Sequence, residues 1–356
     1  MTAMQQPEPA KHTPRTGFGT RRLRLAVAAV SIAAAAIGVA LVFTRSDHGT
    51  TSTSSVAATL RVPGLPNAVA AGPDALWVAS SYGPDRPVGT LVRIRLSTGA
   101  AQKTISIAGV PGSAVRVGDS LWVGHNGDWN DTKPGELTEI DWNSGQILSR
   151  LPFDRPIFGL ASGAGSLWVV VGRAPATLVR IDLATKHVIG RPVPIDDNRV
   201  IGLAYGEGAV WATAFENGAL IRFDTASGHV DRVRVGANPV GVVVSNGLAW
   251  VANRASGTVV RVDPKTLRLV GNPVHAGEYP TWIAAAGTSV WVSNQADGTV
   301  TRIDSSTGET SGSPIRIAGP ANGDLPAANA LAADRDVSLW VTSMTEQTVS
   351  RIDPSR

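Results

Sequence analysis

The sequence has no cysteine among its 356 residues, and aromatic residues make up only 5% of it. The lack of cysteine excludes disulfide bonds, thiolate metal ligands, catalytic thiols and a lipid anchor on an N-terminal cysteine. The phosphate-binding loop, the HExxH zinc motif, the GxSxG nucleophile elbow and the dinucleotide-binding fingerprint are also missing from the sequence. We therefore predict no catalytic residue, no metal ligand and no cofactor.

The positive charge of the chain is concentrated at its N-terminus. The net charge is +4 and the pI is near 9.7, but residues 1–45 alone hold six basic side chains and one acidic side chain. The other 311 residues carry 26 bases and 27 acids. Because a nucleic-acid-binding domain needs a dominant basic surface, the sequence predicts no nucleic-acid partner.

An uncharged apolar segment of 19 residues runs from Leu25 to Phe43, with Arg21, Arg22 and Arg24 before it and Arg45 after it. As a helix it would be about 28 Å long, which is close to the hydrocarbon thickness of a bilayer. The arginines on its N-terminal side predict a cytoplasmic N-terminus and an extracytoplasmic remainder. A cleaved signal peptide is the alternative, although its apolar region is usually about 7–15 residues long.

These features divide the chain into four parts. We predict a disordered basic cytoplasmic tail over residues 1–22, a single transmembrane helix or uncleaved signal anchor over 23–44, and a flexible linker over 45–54. A globular domain covers residues 55–356. The protein is therefore expected in the cell membrane, with residues 23–44 in contact with the lipid.

A tryptophan that follows an apolar residue recurs seven times in the globular domain, 39 to 49 residues apart. It occupies positions Trp77, Trp122, Trp168, Trp211, Trp250, Trp291 and Trp340. A second motif, most often Arg-x-Asp, also recurs, and its aspartate stands 13 or 14 residues after each of the last five tryptophans. In the first two copies the distance is 18 and 19 residues, so each carries an insertion in the same loop.

Each copy contains the pattern of four short strands separated by turns that are rich in Gly, Pro, Asp and Ser. A repeat of about 40–50 residues with four strands is typical of a propeller blade. The chain ends after the third strand of copy seven, whereas residues 58–64 look like a fourth strand. We therefore predict an all-β, seven-bladed β-propeller that is closed by an N-terminal strand and preceded by a single transmembrane helix.

The repeated residues are interpreted as structural. A tryptophan at the same strand position of every blade is expected to pack between neighbouring sheets. The aspartate of Arg-x-Asp is expected to accept backbone N–H groups in the turn that follows it.

The LWV…RID..TG pattern in seven copies resembles the YVTN/virginiamycin-B-lyase-like superfamily of bacterial seven-bladed propellers, over residues 55–356. The resemblance implies the fold, while similar members include antibiotic-linearising lyases, cell-envelope binding propellers and sensor ectodomains. The lyases use a set of His and Glu residues with magnesium on the channel face. A complete set of two His and two Glu does not align with this sequence, in which His125 and His275 with Glu278 are the candidates.

In a propeller, the loops between the second and third strands and the loops between blades surround one end of the central channel, and this face is the default ligand site. Both insertions fall in loops of the first kind. The mixture of charged and aromatic residues there suits a peptide, a saccharide or an envelope protein. The predicted ligand-binding residues are Tyr82, Arg86, His125, Asp128, Trp129, Arg155, Arg199, Glu216, Arg254, His275, Glu278, Trp282 and Asp297.

Two functions follow from these observations. The first is a membrane-tethered extracytoplasmic propeller that binds a ligand or partner at the channel mouth without catalysis. The alternative is a divalent-metal-dependent lyase or hydrolase that resembles virginiamycin B lyase. A purely structural role in the cell envelope is a third hypothesis.

Overall fold

The computed structural model describes residues 41–42, 55–83, 88–128, 130, 133–196, 199–321, 325–334 and 338–353, and all regular elements in these ranges are β-strands. Two strands, β1 (Leu41–Val42) and β2 (Val56–Arg61), precede the first blade. Blade one contains β3 (Leu65–Ala71), β4 (Ala75–Ser81), β5 (Val88–Arg95) and β6 (Ala101–Ala108). Blade two contains β7 (Val110–Val117), β8 (Ser120–Asn126), β9 (Gly135–Asp141) and β10 (Ile147–Pro152).

The next four blades have the same order. Blade three contains β11 (Ile157–Gly163), β12 (Ser166–Val171), β13 (Ala176–Asp182) and β14 (Val193–Asp196). Blade four contains β15 (Val200–Gly206), β16 (Ala209–Ala214), β17 (Ala219–Asp224) and β18 (Val230–Arg234). Blade five contains β19 (Pro239–Ser245), β20 (Leu248–Asn253), β21 (Thr258–Val262) and β22 (Val274–His275). Blade six contains β23 (Pro280–Ala286), β24 (Ser289–Asn294), β25 (Thr299–Asp304) and β26 (Ile315–Arg316).

Blade seven is assembled from both ends of the chain, as the sequence predicts. Its strands β27 (Leu331–Asp334), β28 (Ser338–Ser343) and β29 (Thr348–Ile352) are contiguous in sequence, and β2 pairs antiparallel with β29. Leu60 lies opposite Val349, and the N–H of Val62 donates to Gln347 O at 2.9 Å. The innermost strands of successive blades contact one another, and β27 contacts β3, so the ring is closed without a free edge between blades seven and one.

Most of the predicted transmembrane segment lies outside the described residues. Only Leu41 and Val42 are described within residues 23–44, as the short strand β1 opposite Leu60 and Thr59. No helix in the described part of the chain is long and apolar enough to cross a membrane. The tail of residues 1–22 and the linker of residues 45–54 also lie outside the described residues, so the membrane anchor stays a prediction.

The seven repeated tryptophans are buried between blades, as predicted. None of them is more than 3% exposed. Each belongs to an apolar cluster shared with the next blade: Trp168 packs with Val210 and Ile221 of blade four, and Trp340 of blade seven packs with Leu76 of blade one. The indole rings therefore fill the space between neighbouring sheets and stabilise the ring as a whole.

The repeated aspartates hold the turns that follow the third strands. Asp304 Oδ1 accepts the backbone N–H groups of Ser306 and Thr307 at 2.8 and 3.0 Å, and Asp141, Asp182, Asp224 and Asp263 make the equivalent bonds. Hydrogen bonds to the ionised carboxylate lower the pKa of all five groups, and that of Asp304 falls to about 2.

The two ends of the channel differ in the loops that surround them. Since neighbouring strands are antiparallel, the loops between second and third strands emerge at the same end as the loops between blades; we call this end the upper face. The loops of blades one and two there span residues 82–87 and 127–134, whereas that of blade five spans only 254–257. The predicted insertions are therefore in the predicted loops.

Candidate functional site

The upper part of the central channel is a small cavity lined by both polar and apolar groups. It has a volume of about 190 Å³, and its walls include Phe158, Ile201, Leu203 and Trp282 from the innermost strands of blades three, four and six. Trp282 is half-buried, and its Nε1–H donates to Asn329 Oδ1 of the loop before β27 at 3.2 Å. The predicted residue Trp282 therefore contributes to the channel wall with a fixed ring orientation.

A second, open pocket lies on the upper face between blades five and six. It has a volume of about 370 Å³ and is lined by Arg254, His275, Glu278 and Tyr279, with Gly257 and Gly277 among its other residues. Three predicted ligand-binding residues, Arg254, His275 and Glu278, thus meet in one pocket. Tyr279 is 49% exposed and is followed after Pro280 and Thr281 by Trp282, so this loop joins the pocket to the channel wall.

Two equivalent asparagines, Asn253 at the end of β20 and Asn294 at the end of β24, are fully buried beside the pocket. Asn253 Nδ2 donates to Val235 O at 2.9 Å, and Asn294 Nδ2 donates to Ala276 O at 3.2 Å. Each bond ties the end of a second strand to the loop that enters the same blade. A Cβ atom on Gly277 would lie 2.5 Å from the carboxamide of Asn294, so only glycine fits there.

The side chain of Arg254 is fixed by its neighbours. Its guanidinium carbon lies 4.6 Å from the centre of the Tyr279 ring, and its Nε donates to Gln295 Oε1 at 3.2 Å. Gln295 in turn donates its backbone N–H to Tyr279 O at 2.9 Å. Tyr279 adopts a positive φ of 55°, a conformation in which a bulky residue is strained. Together these contacts fix the position of the guanidinium beside the Tyr279 ring.

The remaining polar residues of this region have different environments. Asp297 is a structural residue, because its Oδ2 accepts the N–H of Glu278 at 3.0 Å and its Oδ1 accepts the N–H of Thr299 at 3.1 Å. Glu278 is exposed, and so is His275 at the end of the outer strand β22. The carboxylate of Glu278 and the imidazole of His275 therefore face solvent within the pocket.

Blades two to four supply three more predicted residues. Arg155 donates from Nη1 to Pro175 O at 2.9 Å and from Nη2 to Thr177 Oγ1 at 2.9 Å, so its guanidinium fixes the upper loop of blade three. Arg199 lies 5.8 Å from the Phe215 ring. Glu216 is exposed on the upper loop of blade four. These residues lie on the same face but line neither the channel cavity nor the pocket.

The upper loops of blades one and two are described only in part. Tyr82 is 38% exposed, and its hydroxyl accepts a bond from Thr90 Oγ1 at 3.2 Å. Asp128 is half-buried. Arg86 and Trp129 lie outside the described residues, and their part in a site stays a prediction.

His125 does not lie on an exposed loop, which corrects the sequence-based expectation. Strand β8 continues through Asn126, because it pairs with β7 and β9 as far as that residue, and His125 is only 3% exposed. Its Nε2 lies 2.9 Å from Thr138 Oγ1 and 3.4 Å from Glu136 Oε1. Burial lowers the pKa of His125, and the nearby Glu136 carboxylate partly opposes this effect.

The two candidate histidines are therefore in different environments. His125 is buried in blade two, and His275 is exposed in blade five. Within the described ranges, no three His, Asp or Glu side chains are grouped so that they could hold a metal ion. The pocket does combine a cation, an anion, an imidazole and an aromatic ring, which suits the recognition of a polar ligand.

Sequence reasoning overlooked two residues of this region. Gln295 fixes Arg254 and stands four positions after Trp291, as Arg254 stands four positions after Trp250. Aligning the repeats one by one could have revealed this correspondence. Phe158 is a large aromatic residue in the innermost strand β11, and its size at this position was visible in the sequence.

Comparisons with known proteins agree with the fold. A family model described as a repeat of unknown function (DUF6923) matches residues 153–267. The selenomethionine-substituted virginiamycin B lyase from Staphylococcus aureus superimposes with a TM-score of 0.65 and 16% identity, over 83% of this chain and 98% of the lyase. A chain of the mitotic checkpoint complex superimposes with a TM-score of 0.67 and 14% identity, over 87% of this chain and 95% of that chain.

A search of curated proteins finds no significant match in sequence. The protein is thus a seven-bladed β-propeller that resembles virginiamycin B lyase in its fold.

Proposed function

We propose that this protein is a membrane-tethered, extracytoplasmic propeller that binds a peptide or protein partner on its upper face and has no catalytic role. The observation that carries the proposal is the pocket between blades five and six. It brings together Arg254, His275 and Glu278 with the exposed ring of Tyr279. Such convergence of polar and aromatic groups on a rigid scaffold is typical of a recognition surface.

The chemistry of the upper face supports a polypeptide partner more than other ligands. Arg254 stacked on Tyr279 is the kind of arginine–aromatic pair that is enriched at protein interfaces. The channel cavity, whose walls include Phe158, Ile201 and Leu203, could accept one side chain of such a partner. Glu216 and Glu278 disfavour a polyanion on this face.

Partner capture tests the binding role. The full-length chain, retained in membranes and then solubilised, is used as bait in three forms. These are the natural chain, an upper-face variant with Arg254→Ala, Glu278→Ala and Tyr279→Ala, and a control with His187→Ala, Lys265→Ala and Glu309→Ala in exposed turns at the opposite face. We expect the same proteins with the natural chain and the control, and their loss with the upper-face variant. Equal recovery with all three forms would remove this face as the binding site.

The membrane tether needs its own test. The arginines before the apolar segment and the 19-residue length of that segment support it. We expect the chain to remain in the membrane pellet after an alkaline carbonate wash, and the propeller to be digested by protease added outside spheroplasts. Release of the chain by the wash would contradict the anchor.

The lyase or hydrolase alternative is tested separately. His275 and Glu278 lie in the same pocket, so the two residues could act together, but His125 is buried in another blade. This alternative requires turnover that depends on a divalent metal and is lost in His275→Ala and Glu278→Ala variants. A binding protein requires neither.

A further inference from the structure

We propose that Arg254 is the receptor for a carboxylate group of the bound peptide, an inference that rests on the proposed binding role of the upper face. The inference concerns one side chain and one ligand group. It follows from how Arg254 is held, from which of its donors are occupied, and from what surrounds them.

Arg254 is fixed before any ligand arrives. Its guanidinium carbon lies over the Tyr279 ring, 4.6 Å from the ring centre, and its Nε donates to Gln295 Oε1 at 3.2 Å. The backbone N–H of Arg254 is bonded to Asn238 O at 2.9 Å. Because an arginine side chain normally loses much rotational freedom on binding, this arrangement lowers the entropic cost of recognition.

The two terminal nitrogens of Arg254 have no acceptor among the described residues. Other arginines near the upper face use these atoms for the fold: Arg155 donates to Pro175 O and Thr177 Oγ1, and Nη1 of Arg316 donates to Asp297 O and Ala318 O. In Arg254 only Nε has such a role. The forked edge of the guanidinium is therefore available to a ligand.

A planar fork of two parallel N–H donors matches a carboxylate, which accepts both bonds at once. The pocket that Arg254 lines is open, and its other lining residues include Gly257, Gly277 and the exposed Glu278. A peptide that carries an acidic side chain or a terminal carboxylate can satisfy Arg254, while an amide N–H or an amino group of the same peptide can donate to Glu278. A simple anion could satisfy only one of the two charges.

The test uses benzoylglycine as a peptide-like carboxylate and benzoylglycinamide as its uncharged match. The full-length protein is treated with phenylglyoxal, which reacts with available guanidinium forks, and modification at each arginine is followed by mass spectrometry. We expect Arg254 to be modified faster than Arg155. Saturating benzoylglycine should slow modification of Arg254 about fivefold or more, while the amide, at matched ionic strength, should not slow it.

Two variants complete the test. Arg254→Lys keeps the charge but loses the fork and its stacking, and we expect the affinity for benzoylglycine, measured by calorimetry, to fall about tenfold or more. Arg316→Lys is the matched control and should keep the natural affinity. Equal protection by the acid and the amide, or no protection by either, would overturn the assignment of Arg254.

The failures of the two proposals can be told apart. If the triple upper-face variant loses its partner but benzoylglycine does not protect Arg254, the binding face stands and the carboxylate receptor falls. If benzoylglycine protects Arg254 but partner capture does not depend on the upper face, the receptor stands and the proposed protein-binding role falls.

Discussion

A cation lies over the repeated tryptophan in blade two as in blades three to six, but in blade two it comes from the neighbouring blade. In blades three to six, an arginine of the third strand lies over the tryptophan of its own blade, as Arg180 does over Trp168 at 5.2 Å and Arg302 over Trp291 at 5.3 Å. Blade two has Glu139 at this position. The cation above Trp122 is instead Lys186 of blade three, whose Nζ is 4.9 Å from the ring centre.

Two residues differ here from the repeat, Glu139 in blade two and Lys186 in the turn of blade three, and each compensates for the other. Glu139 is almost completely buried, and its Oε1 lies 2.6 Å from Lys186 Nζ and accepts a bond from Ser120 Oγ at 2.8 Å. Lys186 occupies the turn position that is Gly145 in blade two and Gly308 in blade six, and it keeps the same left-handed conformation with a φ of 63°. Blade two is thus tied to its neighbour by an ion pair, whereas the arginine in each of blades three to six lies over its own blade's tryptophan.

The comparison shows that one blade can carry a glutamate in place of the repeated arginine when the next blade supplies a lysine that pairs with it. A left-handed conformation costs a residue other than glycine about 1–2 kcal/mol. The contact with Glu139 offsets this cost, because a buried carboxylate without a cation is destabilising by more than that. Each of the following predictions changes one part of this arrangement.

Reversing the charge of Lys186 should have the largest effect. Lys186→Glu places two carboxylates together, one of which is nearly fully buried, and we expect the free energy of unfolding to fall by about 3 kcal/mol or more. Urea denaturation of the full-length chain in detergent measures the change. Lys265→Glu, at an exposed lysine of the blade-five turn, should have almost no effect. A small loss at Lys186 would show that the ion pair has little importance.

The effect of Lys186→Gly should be the next largest, and it should depend on the residue at position 139. Lys186→Gly removes the left-handed strain but leaves Glu139 buried without its cation, and we expect a net loss of about 1–2 kcal/mol. In a Glu139→Arg background, the same change restores the arrangement of the other blades and should be stabilising. A double-mutant cycle measured by denaturation gives the coupling. If Lys186→Gly had the same effect in both backgrounds, the two departures would be unrelated.

The arginine of a regular blade should matter less. Arg302 lies over Trp291, with its guanidinium carbon 5.3 Å from the ring centre, and donates from Nε to the uncharged Ser289 Oγ at 2.9 Å. We expect Arg302→Ala to lower the free energy of unfolding by about 1 kcal/mol. Thermal denaturation compared with Lys186→Glu provides the measurement. A larger loss of stability in Arg302→Ala than in Lys186→Glu would contradict the greater importance given to the ion pair of Glu139 and Lys186.

The comparison between blades also shows what the sequence could predict. Trp122 and Glu139 were recognisable from the repeat, and so were the strand order, the two inserted loops and the N-terminal strand of blade seven. The contact between Glu139 and Lys186 was not, because a repeat pattern aligns equivalent positions and does not show which residues of adjacent blades approach each other.

The candidate site was harder to predict for the same reason. Arg254 and Tyr279 belong to different blades, and their contact depends on a left-handed backbone at Tyr279. Such a conformation is not predicted from the sequence at a residue other than glycine. His125 was misplaced because the inserted loop was taken to begin at this residue, whereas the position three residues after the tryptophan lies in the second strand of every blade, as Val171 and Asn253 do. The first case depends on tertiary structure, and the second could have been corrected by aligning the repeats.

The smallest effect concerns a feature that blade two shares with the regular blades. The turn carboxylates, including Asp141 and Asp304, have lowered pKa values because each accepts hydrogen bonds from the turn that follows it, from the Ser306 hydroxyl and then backbone N–H groups in Asp304 and from the backbone and hydroxyl of Ser144 in Asp141. Groups of this kind contribute stability above the pKa of the unfolded chain, about 4, and lose it as the pH falls through the folded value, which is about 2 for Asp304. Stability should therefore decrease between about pH 4 and pH 2.

Asp304→Asn keeps an oxygen acceptor for the turn but does not titrate, so it should make this decrease slightly shallower while changing stability little at neutral pH. Asp141→Asn should act in the same way in blade two, because the turn bonds do not depend on the charge at position 139. Denaturation midpoints measured from pH 2 to pH 7 test both variants, with Asp154→Asn as a control outside the turns. A different slope for Asp141→Asn than for Asp304→Asn would show that the ion pair of Glu139 and Lys186 also alters the turn beside it.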